Sequence, residues 1–151
     1  MNSFEVEPLS AGPALSAERV KVVEQSLGCL FPASFINALR IANGGVPKGR
    51  LIDPPGAERE LDRFLSIIDD YKNDALGMYD IEVVWSQIED RLSDGLVPIA
   101  ALVNGDFLCL DFAAQRDEPE VVLWDHERST LDSPVVSRVA SSFDDLVQRL
   151  H

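Results

Sequence analysis

The chain has 151 residues, 46% of them hydrophobic, which is the size and composition of one domain with a single core. Thirteen Lys and Arg against 26 Asp and Glu give a formal charge of −13, so nucleic acid and anionic membranes are poor partners. No apolar run is long enough to span a bilayer, and Met1-Asn2-Ser3-Phe4-Glu5-Val6-Glu7 carries acids where a secretory leader carries bases, so the expected location is the cytoplasm.

Residues 1–16 hold Pro8, Gly12 and Pro13 and read as a lead-in to a single domain over 17–151. Ser16 is placed to cap a helix whose apolar residues Val20, Val23 and Leu27 recur at helical spacing, and Gly28 can end it in a left-handed conformation. Pro32 suits the first turn of a second helix running to about Ala42, with Phe35, Ile36 and Leu39 inward. Asn43-Gly44-Gly45 stops that helix, and backbone geometry is sufficient reason for its glycines. From Lys48 to Gly56 prolines and glycines predict a loop, followed by a strand around Glu60 to Ile68. Asp74 can cap the next segment, where Ile81, Trp85, Ile88 and Leu92 form a helical stripe ending before Gly95.

Short β-type runs follow at Leu96–Ile99, Asp106–Phe112 and Val121–Trp124, separated by turn material at 104–106 and at 115–119. They predict an antiparallel meander, apolar on both faces at Phe107–Phe112, with helices over one of them. Ser142 with Asp145 resembles a capping box for a last helix that turns Phe143, Leu146, Val147 and Leu150 inward. Helices at both ends of a run of strands predict an α+β domain with a mostly antiparallel sheet flanked by helices.

Four segments in order, Leu27 to Gly45, Gly95 to Ala100, Gly105 to Asp111 and Val121 to Glu127, resemble the signature of the SMI1/KNR4 (SUKH) superfamily. The closing stretch from Val139 to Leu146 resembles the last helix of that family, and the likeness runs from about Ala17 to Leu150. Phe31 stands where the family usually has leucine, and Tyr71 to Arg91 matches no family pattern. Asn43, Gly44, Gly45, Pro98, Gly105, Asp106, Asp111 and Trp124 are the motif positions, and together with Trp85 they read as architectural. For a bacterial single-domain member the resemblance implies an immunity protein that binds and neutralises a toxin, often a nuclease. The alternative it carries is a regulatory protein-interaction module without a toxin partner.

No nucleophile elbow, metal-protease helix or phosphate loop is present, so no catalytic residue, metal or cofactor is expected and the chain is not read as an enzyme. Cys29 and Cys109 stand apart among apolar residues and read as buried free thiols. His126, in Trp124-Asp125-His126-Glu127, reads as a residue of a solvated turn, because neighbours on an extended chain point to opposite sides. Charge is uneven: residues 53–94 hold 12 acids and four bases. Within them Asp69, Asp70, Tyr71, Asp74, Tyr79, Asp80 and Glu82 interleave acids with both tyrosines of the chain, and these seven are the candidate partner-binding residues. The partner expected there is a protein, a basic toxin domain whose cleft such carboxylates would cover by mimicking phosphate charge. Oligomeric state is left open.

Overall fold

Helix α1 (Ala17–Leu27) begins where Ser16 Oγ accepts the Arg19 N–H at 3.2 Å, and it ends on Gly28 at φ 69°. Helix α2 (Ala33–Ile41) buries Phe35, Ala38 and Leu39, with Pro32 extended just before it instead of inside its first turn. These positions come from a computed structural model that describes residues 3–113, 117–131 and 133–151. The turn expected at 115–119 therefore lies partly outside the described residues.

Among the described residues six strands pair antiparallel in chain order: β1 (Leu51–Ile52), β2 (Arg59–Phe64), β3 (Leu96–Leu102), β4 (Phe107–Asp111), β5 (Glu120–Trp124) and β6 (Val136–Ala140). With the four helices of the described residues they make the α+β domain that the pattern of elements predicts. Two strands correct the sequence reading. β1 falls in the stretch expected to be loop, and Leu51 exchanges backbone bonds with His151 at 3.0 and 3.1 Å. β6 takes Val139 and Ala140, which the resemblance had assigned to the last helix. Helix α4 (Phe143–Arg149) starts after them, where Ser142 Oγ accepts the Asp145 N–H and Asp145 accepts the Ser141 N–H. Pro98 sits in an interior strand without harm because the β3–β4 register shifts between it and Ala100, a bulge that needs no donor there.

The sheet is covered on both faces. Phe35 of α2 and Phe143 of α4 lie edge to face at 5.1 Å, Phe64 of β2 stands 6.1 Å from Phe143, and Phe31 reaches Phe112 at the end of β4. Alternation along β4 turns Phe107 the other way, to meet Trp124 of β5 at 6.1 Å. Trp124 is fully buried and its indole N–H donates to the Arg91 carbonyl at 3.1 Å. The lead-in is tied down as well, since the Glu7 N–H donates to Val46 and Phe4 packs on Phe64. Among the described residues no helix is long and apolar enough to cross a membrane.

Cys29 and Cys109 are both buried and unpaired. Burial pushes the Cys29 thiol up to about 12, with Glu24 adding to it, and pushes Cys109 up as well. Little thiolate is present at neutral pH, so both should resist an aromatic disulfide reagent in the native protein and react together once urea unfolds it.

Candidate functional site

After β2 the chain leaves the sheet and folds back on itself. Leu65 donates to Ile99, and Ser66 donates to Tyr79 at 2.9 Å, so the strand expected through Ile68 ends at Phe64. Two 3-10 turns follow, Tyr71–Asn73 and Gly77–Tyr79. They close so tightly that a Cβ on Gly77 would stand 1.8 Å from the Tyr71 carbonyl oxygen. That closure is why Asp74 does not cap the next helix: its carboxylate accepts the Leu76 N–H inside the loop. Helix α3 (Ile81–Ile88) starts at Asp80, whose Oδ2 accepts the Val83 N–H at 3.2 Å. Ile81, Val84 and Ile88 form its buried stripe, Trp85 is half-buried against the core, and Leu92 is buried beyond a further turn at Glu89–Arg91.

Asp80 corrects the sequence reading most sharply. It is 0% exposed, and its other oxygen accepts the Ile68 N–H at 2.8 Å. Burial raises its carboxyl above the usual range, opposed by those two amides and by Arg19 at 3.9 Å. A carboxylate so enclosed belongs to the frame of the loop and offers nothing to a partner.

The remaining six candidates reach the surface to different degrees. Asp69 and Asp70 are exposed, while Tyr71, Asp74, Tyr79 and Glu82 are half-buried. Each tyrosine lies against an arginine. The Arg19 guanidinium, on α1, stands 5.6 Å from the Tyr71 ring centre and pairs with Glu82 at 2.9 Å. Arg63, buried on β2, stands 4.4 Å from the Tyr79 ring and donates to the Ser10 carbonyl at 2.8 Å. Between the tyrosines in sequence Met78 is 64% exposed, and charge counting had no means to single it out. Of the 12 acids between 53 and 94 nine are exposed, whereas Lys72 alone of the four bases is exposed. This stretch of surface is thus more acidic than the sequence balance indicates, because Arg63 and Arg91 are spent on internal contacts.

The motif positions hold the architecture. Asn43 donates through Nδ2 to Pro13 and Ile67, both at 2.8 Å, and accepts the Ile67 N–H at 2.9 Å. Asp111 accepts the Ala113 N–H at the end of β4. Asp106 and His126, 20 residues apart, meet: one Asp106 oxygen accepts the His126 amide at 3.0 Å and faces ring Nδ1, while Asn104 donates to the other. Burial alone would raise the Asp106 carboxyl, but the His126 ring and amide and Asn104 outweigh it and hold it below the usual range. His126 is therefore not a free turn residue: it bolts the end of β5 to the Gly105 turn, a contact that no local pattern announces.

A groove of about 450 Å³ opens elsewhere, at the end of α1, lined by Gly28, Cys29, Leu30 and Phe112 among others. No curated protein sequence matches the chain. The model of the SMI1 / KNR4 family (SUKH-1) matches residues 14–149, a span that takes in all six strands and all four helices, and the chain belongs to that family.

Proposed function

We propose that this chain is an immunity protein that binds and neutralises a nucleic-acid-directed toxin through the surface formed by Asp69, Asp70, Tyr71, Asp74, Met78, Tyr79 and Glu82. The observation that carries the reading is the pairing of both tyrosines with arginines in a segment that also exposes Asp69 and Asp70. Rings already held by Arg19 and Arg63 lose little freedom when a partner covers them, so their contact area converts to affinity at small entropic cost. Met78 adds an adaptable apolar contact beside them. The exposed acids favour a basic partner, and a toxin acting on nucleic acid needs a basic cleft. Membership of the family supports a protein partner. The chain acts by binding, without turnover, and in the cytoplasm, where such a toxin would act.

The test is titration of the full chain with the toxin domain encoded beside its gene, alongside growth rescue on co-expression. Tyr71→Ala or Tyr79→Ala should each weaken binding by ~2 kcal/mol or more, as a desolvated aromatic anchor does. Joint replacement of Asp69 and Asp70 by asparagine should instead slow association and flatten its salt dependence, since steering is screened beyond a Debye length of about 8 Å. Rescue with a flat alanine scan places the toxin on another surface. Absence of rescue favours the regulatory module.

A further inference from the structure

Three acceptor groups converge where the last residue of the chain lies against the first strand. Leu51 and His151 exchange both backbone bonds, at 3.0 and 3.1 Å, so His151 runs beside β1 like a further strand. The β1–β2 hairpin pairs Ile52 with Arg59, and this brings Asp53 and Glu58 together where its connecting loop begins and ends. His151 Nε2 lies 3.6 Å from Asp53 Oδ2 and 3.5 Å from Glu58 Oε2, and one such atom from each of the three residues lies within 4.8 Å of the others.

The other ring nitrogen decides what these atoms can do. His151 Nδ1 sits 3.2 Å from the Arg149 carbonyl oxygen, which can only accept, so Nδ1 carries a proton. In the neutral ring Nε2 then turns a lone pair toward two carboxylates. Three lone-pair donors aimed at one point repel unless a cation lies between them, either a second proton on the ring or a metal ion. Geometry suits the metal: ligands about 2.0–2.1 Å from a tetrahedral zinc stand roughly 3.3–3.4 Å from one another, within a few tenths of the two separations of 3.5 and 3.6 Å from His151, and the two carboxylates, within 4.8 Å of each other, need close only by side-chain rotation. An imidazole whose far N–H is fixed on a backbone carbonyl is also the usual arrangement of a metal-bound histidine.

We propose that Asp53, Glu58 and His151 form a Zn²⁺ site that staples the end of the chain to the β1–β2 hairpin, with water completing the coordination. One nitrogen and two carboxylates favour zinc over magnesium and calcium, which take oxygen throughout, and over manganese, which binds such mixed sets more weakly. All three side chains are exposed, so the ion enters without unfolding, and none belongs to the proposed toxin-binding surface.

Calorimetry on the untagged, chelator-treated full chain with zinc chloride at about pH 7.5, where the carboxylates are ionised and the ring can deprotonate, tests the proposal. One zinc per chain is expected, with a rise in melting temperature. His151→Ala and Asp53→Asn should each weaken binding at least about tenfold and remove the rise, as loss of a ligand does. His126→Ala should leave both unchanged, and cobalt in place of zinc should show no intense thiolate absorption, which separates this site from the other histidine and the two cysteines. No binding at ~1 mM zinc would overturn the proposal and leave a proton as the shared cation. Stoichiometric binding that survives His151→Ala, or that is lost with His126→Ala, would overturn it as well.

Discussion

Gly44→Ala should lower the stability of the domain by about 4 kcal/mol, a large share of the ~5–15 kcal/mol available to a domain of this size. Its φ of 75° alone costs an L-residue roughly 1–2 kcal/mol. The rest is steric. A Cβ there would stand 2.4 Å from Ser66 Oγ, 2.7 Å from the Leu65 carbonyl oxygen and 2.8 Å from that of Phe64. The hydroxyl can rotate away only by leaving the Asn43 carbonyl, to which it donates at 2.6 Å. The Phe64 carbonyl cannot retreat without breaking its bond from the Gly45 amide, and Gly45 in turn accepts from Phe64 at 2.8 Å. Urea unfolding measures the loss as a fall in midpoint at unchanged slope. Gly28→Ala is the control, because φ there is 69° but nothing lies within 4 Å of the added carbon, so only the backbone cost of roughly 1–2 kcal/mol should appear. Equal losses at the two positions would show that crowding at Gly44 is relieved by movement.

These two glycines also mark what was legible in the sequence. A helix end is written in a few adjacent residues, so Ser16, Gly28 and the Ser142–Asp145 pair located α1 and α4 correctly. Sheet edges are not written that way. β1 is two residues long and exists because Glu60, Arg59 and His151 pair with it from elsewhere in the chain, while β6 alternates only weakly between exposed and half-buried positions. The candidate surface was legible as charge density and aromatic content, which are sums over a segment. Which acid of that segment is exposed depends on what packs over it, and Asp74 and Asp80 both precede apolar residues in a helical rhythm. Only the return of Ile68 to the Asp80 carboxylate separates them. The arginines under the tyrosines were hidden for the same reason, since Arg63 lies 16 residues from Tyr79 and Arg19 lies 52 from Tyr71.

Asp80→Ala should cost about 3 kcal/mol, whereas Asp80→Asn, which keeps one acceptor and removes a buried charge, should cost less than about 1 kcal/mol near neutral pH. Alanine removes the cap of α3, which is worth about 1 kcal/mol, and leaves the buried Ile68 N–H without an acceptor, which adds roughly 1–3 kcal/mol. Asparagine can keep an acceptor for one of these amides while shedding the charge, and Arg19 retains Glu82 at 2.9 Å. Because burial raises the Asp80 carboxyl, the folded protein binds its proton more tightly than the unfolded chain does. Stability from this group is therefore full below the unfolded value near ~4 and declines as pH rises through the folded value. Asp106 and Asp145, both held below their usual range, push the whole protein in the opposite direction, toward loss of stability in acid. The difference between the native chain and Asp80→Asn cancels those contributions. Measured by urea unfolding at several pH values from 4 upward, a range set by ordinary carboxyl titration at roughly 4, that difference should move in favour of the asparagine variant as pH increases. Movement in favour of the native chain would mean that the two amides and Arg19 more than offset burial, and that the ionised carboxylate is itself what locks α3 to the end of β2.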